Sequence, residues 1–454
     1  MTTAPDGLTA FHWEVQPKAG ALIADLLARV LALSPATRLL AARLLAETGT
    51  RLVDWVDHLV IIDDTGLDQR LLAAGFVLRP QSAAPRCYQH DGGLFPDVLL
   101  LASGVPAVAL LVESVVDFLA AHDREAPIVG GPLSPMRMAV AWSDGAELRV
   151  VERHGHPGYH LVELPAEQVL AAQRHLDAFR TRGRDFADDA AGFAHAGELI
   201  DRAIADIGVD RACDAFFAAE RDYWQRRNRA ARIQKARQDA LGLGWANHDH
   251  HTYRSSRHCF TSMIALFERL GFHCRERFYP GHNAGWGAQV LEQANTGIII
   301  FADVDMSEEE VRRDFSHELF PADSKRPLGT VGLWCGLHGE SFLQAGMHHL
   351  EATFDFTAVG AQLQQAGIHL MPPFTDYPHL RQCFTTGERW NVLEGRSERL
   401  LKAGQITPQQ DVQFRTQGAI GSHLEVLERN QGFKGFNQDG VDRIIAGTDP
   451  RAQY

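Results

Sequence analysis

Cysteine is scarce and unpaired in this chain. The six present, Cys87, Cys213, Cys259, Cys274, Cys335 and Cys383, are scattered without a CxxC pair. That spacing fits neither a structural zinc ribbon nor a disulfide framework, and it suits a reducing, cytoplasmic setting. An excess of positive charge is also missing. The chain carries 44 Lys and Arg against 57 Asp and Glu, a net charge of −13, so a nucleic-acid partner has no support. The basic run from Arg221 to Arg237 is local and reads as a solvated helix face. No apolar run suits a membrane span, and no membrane partner is expected. The most apolar stretch, Val98–Val112, is short, and Gly104-Val105-Pro106 breaks it into two buried strands joined by a turn. Residues 1–20 lack the basic segment and apolar core of a signal peptide. No convincing Ser-His-Asp or Cys-His arrangement announces nucleophilic catalysis.

What is present is an ordinary globular composition. Hydrophobic residues make up 45% and charged residues 22% of the 454, and that length favours two or more domains. Apolar residues at helical spacing predict a helical hairpin over 21–33 and 36–53. From about residue 56 the period changes. Strands are expected over 57–62, 75–78, 97–101, 107–112, 136–142 and 147–152, with a short helix over 69–74. Helices are expected over 165–180 and 197–240, the second long, charged and ended by Gly242-Leu243-Gly244. The second half reads as a β-α-β-β-β module over 249–303. A further module opens with a strand over 347–355, a helix over 357–366 and a strand over 368–371, and closes with strands over 412–416 and 422–429. A weaker echo begins near residue 56. The repetition predicts an α+β fold in which βαβββ modules form two half-open barrels. The expected divisions are helices over 1–54, a divergent non-catalytic barrel over 55–164, a helical linker over 165–244, and a catalytic domain over 245–454 with a C-terminal helix as its gate.

Three distant residues on expected strands stand out: His250, His349 and Glu425. Alternate residues of a strand share a face, so His250 groups with Thr252, His349 with Glu351, and Glu425 with His423 and Leu427. Two imidazoles and one carboxylate can occupy one face of an octahedral Fe(II) and leave three positions open for O₂ and a chelating substrate. The plain alternative is that, among 22 histidines, these two are satisfied core residues. Glu425 is more telling, because a carboxylate inside an apolar strand is costly without a partner. Its plain alternative is an ion pair with Arg415.

Several tracts carry a family likeness: Asp249-His250, Gly346-Met347-His348-His349-Leu350, Leu424-Glu425-Val426-Leu427-Glu428-Arg429 and Gly432-Phe433-Lys434-Gly435-Phe436-Asn437. Pro372-Pro373-Phe374-Thr375-Asp376-Tyr377 with Leu380-Arg381, and Arg399–Ile406, keep the same order. Over about residues 245–446 the chain resembles the 4-hydroxyphenylpyruvate dioxygenases and hydroxymandelate synthases of the vicinal-oxygen-chelate superfamily. The resemblance implies Fe(II) on His250, His349 and Glu425, O₂ as co-substrate, and a small-molecule 2-oxo acid that is decarboxylated and hydroxylated in one event. It places a substrate-site glutamine at Gln413 and a gate helix from Phe433 onward, with Phe433 as a pocket wall. Departures from the pattern are Arg415 in place of a clamping phenylalanine, Ala288 and Asp303 in place of polar Ser and Asn, His348 in place of Gln, and the order Gly435-Phe436-Asn437. Gln289, Asp303, His348, Arg415 and Asn437 join Gln413 and Phe433 as candidate substrate residues. These changes imply an altered substrate. Rival readings are an extradiol ring-cleaving dioxygenase, a metal-free binding protein of the same modules, and a zinc or nickel isomerase or lyase, which would need an extra carboxylate ligand. The N-terminal half offers His58 on the matching strand but no histidine in Met136–Trp142. Self-association into a homo-oligomer is left open.

Overall fold

The computed structural model describes residues 13–451 apart from 65, 81–84, 160, 282–283, 322–325 and 438–440. Much of the stretch read for a signal peptide, residues 1–12, lies outside the described residues. Two helices, α1 (Pro17–Leu33) and α2 (Pro35–Arg43), open the chain. They break at Ser34, whose hydroxyl accepts from the backbone of Thr37, with Pro35 in the first turn of α2. A βαβββ module follows: β1 (Val56–Ile62), α3 (Leu67–Ala73), β2 (Val77–Arg79), β3 (Arg86–Gln89) and β4 (Asp97–Leu101). A second contains β5 (Ala107–Leu111), α4 (Val115–Ala121), β6 (Ile128–Val129), β7 (Met136–Ser143) and β8 (Glu147–Arg153). Four helices come next, α5 (Ala166–Arg180), α6 (Asp189–Ile207), α7 (Val209–Arg226) and α8 (Arg229–Asp239). The single long helix expected over 197–240 is thus several. Gly208, at φ 80°, ends α6, and Asn228 caps α8 by accepting from the backbone of Ala231.

The third module is β9 (His248–Ser255), α9 (Phe260–Arg269), β10 (His273–Phe278), β11 (Trp286–Gln293) and β12 (Ile298–Asp305). An insertion carries α10 (Glu308–Val311) and α11 (Thr330–His338). The fourth module is β13 (His349–Thr353), α12 (Phe356–Gln365), β14 (Thr375–Tyr377), β15 (Leu380–Phe384) and β17 (Ala419–Arg429), with β16 (Glu388–Trp390), α13 (Glu394–Lys402) and α14 (Pro408–Gln417) inserted. The last helix is α15 (Val441–Thr448). The strand expected over 412–416 is therefore a correction: those residues lie inside α14. Thr407 and Gln410 form a reciprocal cap there, Pro408 stands in the first turn, and Gly418 at φ 68° stops the helix.

The two sheets have the same plan. Their orders are β2-β3-β4-β1-β5-β8-β7-β6 and β10-β11-β12-β9-β13-β17-β15-β14, with β16 also on β17. At the centre of each, the first strands of two modules run antiparallel, β1 with β5 and β9 with β13. Each also pairs in parallel with the last strand of its own module. Paired βαβββ modules of this order are the vicinal-oxygen-chelate architecture, here present twice.

Strand alternation decides what each face does. On β9, His251 and Tyr253 turn outward against Phe217 of α7 and Phe267 of α9, at 5.2 and 5.1 Å between ring centres. These rings belong to the main core, with Phe216, Met263, Leu350 and Leu424. Each fully buried side chain of that size contributes about 1.5–3 kcal/mol. The alternate residues, His250, Thr252 and Arg254, therefore face the concave side. There α11 lies across the sheet. Asp305, at the end of β12, accepts from the backbone N–H groups of Gly329, Val331 and Gly332 and so fixes the start of α11. Val331 packs with Trp286 and Phe301, closing one side of the cradle.

Candidate metal centre

The concave face of the second sheet brings His250, His349 and Glu425 together. Each offers one ligand atom, and the three atoms lie within 4.8 Å of one another. His349 Nε2 is 2.9 Å and His250 Nε2 4.0 Å from the same carboxylate oxygen of Glu425. All three are buried, at 3%, 7% and 2% exposure for His250, His349 and Glu425. They come from β9, β13 and β17, three adjacent strands whose register sets Glu425 beside Glu351 and His349 beside Thr252.

Each candidate ligand is oriented from behind. His250 turns Nδ1 toward two carboxylates, Asp249 at 3.2 Å and Glu351 in closer contact, which leaves Nε2 facing the other two ligands. Asp249 is itself gripped by Arg429 through two bonds of 2.8 and 3.0 Å. His349 and His348 set their Nδ1 atoms 2.9 Å apart, so one of them carries the proton. When His349 offers its Nε2 lone pair, its Nδ1–H is the donor. Gln382 of β15 donates to both Glu425 and Glu351 at 3.2 Å.

The electrostatics suit a cation. Burial pushes both His250 and His349 below the ordinary imidazole range, the neutral form that a metal requires. Burial also pushes Glu425 up to about 7, although His250 and Arg429 pull the other way. Glu351 is driven well above its usual range by burial and by the charge of Glu425. Asp249 alone stays low: burial opposes ionisation, and Arg429 with His250 overcomes it. Glu425, Glu351 and Asp249 thus converge with Arg429 as the only arginine bonded to them among the described residues. A divalent ion between the three ligand atoms would relieve that imbalance, so the donor set fits one.

The pocket beside these residues is an aromatic box. Phe278, Trp286, Phe301, Phe374, Phe384 and Phe436 form its walls, with Thr252, Asp303, Gln382 and Asn437 as polar points. Asp303 is buried and pushed up to about 7 by burial, against the pull of Arg254 at 3.7 Å. Among the described residues, the three guanidinium nitrogens of Arg254 have no hydrogen-bond partner.

The other expected substrate residues divide. Asp303 and Asn437 line the pocket, and Asn437 donates to Thr375 at 3.1 Å. His348 stands behind His349 rather than in the pocket, packed edge-on against Trp334. Gln289 is turned to the other side of β11, where it donates to the Glu276 carbonyl and accepts from Ser316. Gln413 and Arg415 are carried away on α14, and Arg415 pairs with Glu394 and Asp411. That pairing also removes Arg415 as a partner for Glu425. Phe433 packs on His379, 4.6 Å between ring centres, and is not a pocket wall. Phe436 takes that place, 5.1 Å from His250 and 5.0 Å from Phe301.

Four residues that the sequence reading passed over matter here. Glu351 was legible as a second carboxylate on the face of His349. Gln382 follows the quoted Leu380-Arg381 pair, and its alternation with Phe384 signals an inward position. Phe436 lies three residues beyond Phe433, in the Gly435-Phe436-Asn437 tract. Arg254 had no local signal beyond sharing a face with His250.

No family model matches the chain, and no curated protein matches it. Among solved structures the chain is similar to a mutant of 4-hydroxymandelate synthase from Streptomyces coelicolor, at 13% identity over 88% of this chain and 99% of that one, with a TM-score of 0.30. It is similar to a xylose isomerase-like TIM barrel/4-hydroxyphenylpyruvate dioxygenase fusion protein, at 10% identity over 97% of this chain and 57% of that one, TM-score 0.24. It is also similar to methylmalonyl-CoA epimerase from Mycobacterium tuberculosis, at 13% identity over 40% and 88% of the two chains, TM-score 0.23. Likenesses this distant leave the chemistry to the side chains themselves.

Proposed function

We propose that this chain is a non-heme Fe(II) dioxygenase that oxidatively decarboxylates a small 2-oxo acid and hydroxylates the same molecule. One observation carries the reading: two neutral imidazoles and a carboxylate converge within 4.8 Å on one face of a pocket walled by aromatic rings. Bound at His250, His349 and Glu425, Fe(II) would supply the one-electron and O₂ chemistry that protein side chains lack. The chain's own task is placement. Asp249 and Glu351 hold the His250 ring with Nε2 inward, His348 does the same for His349, and Gln382 fixes the Glu425 carboxylate. The phenyl and indole walls would enclose an arylpyruvate-like body and exclude water. Asp303, with Arg254 behind it, would meet the distal end of the substrate.

The rivals separate on named residues. A metal-free binding protein has no use for the strained acid cluster of Glu425 and Glu351. An isomerase with a fourth ligand would need a carboxylate on the Nε2 side, yet Glu351 sits on the Nδ1 side of His250. An extradiol oxygenase would share the triad, and the substrate panel distinguishes it. The test is anaerobic purification, metal analysis, and O₂ uptake with a panel of 2-oxo acids and catechols. CO₂ release equal to O₂ uptake with a 2-oxo acid supports the reading. Full iron content and full activity in His349→Ala would overturn it.

A further inference from the structure

The two halves keep one feature in common that the ligand set does not explain. In the second half, Asp249 grips Arg429 at 2.8 and 3.0 Å, and the far guanidinium nitrogen of Arg429 donates to the carbonyls of Phe433 and Gly435 at 3.3 and 2.7 Å. In the first half, Asp57 grips Arg153 at 2.6 and 2.9 Å, and Arg153 donates to the carbonyls of His156 and Gly158 at 2.8 and 2.7 Å. Both acids precede a histidine, His250 or His58, and contact its Nδ1. Both arginines lie under an aromatic ring, Phe436 at 5.3 Å and Tyr159 at 5.2 Å. Each ring stands edge-on to its histidine, 5.1 Å and 87° for Phe436, 5.0 Å and 79° for Tyr159.

Strand register then shows what the first half has lost. Counting from His58 as the counterpart of His250, Ala107 stands where His349 stands, Ala109 where Glu351 stands, and Arg149 where Glu425 stands. The cradle there is filled by Val60, Cys87, Leu99 and Ala107, with Tyr159 packed against them. The clamp survives without the ligands, so its shared work is to strap the segment after the last strand across the sheet and to seat an aromatic ring on the histidine.

We infer that Arg429 is a positioning residue that ties the ring of His250, through Asp249, to the pocket wall Phe436. The inference rests on the metal-site reading above, and Arg153 is its built-in control. One fork of five donors serves a carboxylate and two carbonyls at once, a task a single ammonium cannot repeat. In Arg429→Lys the His250 ring would lose the held Asp249, keeping only Glu351 on its Nδ1, and Phe436 would lose its tether at the same time. Arg153→Lys breaks the same geometry at similar burial, far from the triad.

The experiment uses the full chain and Co(II) as a spectroscopic substitute for iron, with tryptic cleavage after Lys434 as an independent readout of the strap. The expected result is Co(II) binding weakened about tenfold or more in Arg429→Lys, with altered visible bands. Cleavage at Lys434 should accelerate in the same variant. Arg153→Lys should leave both readouts at the wild-type value while lowering the melting temperature. Co(II) binding by Arg429→Lys within about twofold of wild type would overturn the inference, as would an equal loss in Arg153→Lys. Wild-type protein that binds neither Fe(II) nor Co(II) would sink the oxygenase reading instead. Unchanged cleavage in Arg429→Lys would then sink the strap on its own.

Discussion

Glu425→Gln should stabilise the metal-free protein and abolish its metal binding. The side chain keeps its shape, so the change tests charge alone. An ordinary glutamate titrates near 4.5, and burial moves Glu425 to about 7 in the folded chain. A carboxyl raised in this way is protonated more readily when folded than when unfolded. Its penalty is therefore absent below about pH 4.5, grows as pH rises toward 7, and is fully present above it. At about 1.4 kcal/mol per pH unit, the folded apoprotein loses roughly 3 kcal/mol by pH 8. Glutamine removes that penalty and still accepts from Gln382. For a domain of this size the gain is a rise of about 5–10 °C in melting temperature at pH 8, shrinking to nothing near pH 5. Metal reverses the order. An ion at 100 times its dissociation constant stabilises the wild type by about 2.7 kcal/mol and gives the variant nothing. Differential scanning calorimetry with chelator and with Fe(II) under nitrogen, at pH 5 and pH 8, reads all four conditions. A Glu425→Gln apoprotein that melts lower than wild type at pH 8, or that keeps the metal-dependent rise, would refute the reasoning.

Three further outcomes follow from the placement of other residues. Gln413→Ala and Arg415→Ala should leave metal affinity and O₂ uptake unchanged, because α14 carries both side chains away from the pocket. Arg415→Ala should cost about 1–3 kcal/mol by urea unfolding, since its exposed partner Glu394 loses little but the buried carboxylate of Asp411 loses its arginine. Gly421→Ala should destabilise by about 1–3 kcal/mol, measured the same way, because the new methyl would fall 1.9 Å from the Trp390 ring. That ring cannot retreat easily: its indole N–H donates to the Arg227 carbonyl, and the Arg227 guanidinium lies 3.8 Å over it.

The modules and the triad were legible because both depend on the simplest periodicity. A strand residue that faces the cradle stays in step with every second neighbour, so His250, His349 and Glu425 could be sorted to one face without a partner in view. The pocket residues were less legible because each depended on how a connection folds. Val412-Gln413-Phe414-Arg415-Thr416 alternates like a strand, yet the cap at Thr407, five residues earlier, and the Asp411–Arg415 pair one turn apart decide for helix. Phe433 and Phe436 are both aromatic and close in sequence. The Arg429 bonds to the carbonyls of Phe433 and Gly435 help hold the segment that brings Phe436 to the cradle. Gln289 differs from its inward neighbour Ala288 by one step of the pleat, so a reading displaced by one residue turns it outward.

The first half gives the strongest argument that the acid cluster of the second is kept for an ion. Both halves share the same strand order, the same Asp-His pair and the same arginine clamp. Where the second imidazole and the two glutamates are replaced by Ala107, Ala109 and Arg149, the cradle closes over apolar side chains, and Arg149 pairs locally with Glu147 at 2.7 Å. The acids left there each have donors: Asp57 is held by Arg153, and Asp97, raised by burial and by the charge of Asp57, accepts from Gln89 and Tyr159. The second half could have packed in the same way, on the same backbone, without the cost that burial imposes on Glu425 and Glu351. Instead it holds two glutamates side by side on neighbouring strands, each with a pKa raised by burial. On the metal reading, the second copy gives up stability where an ion would bind, and the first copy, lacking the ligands, does not.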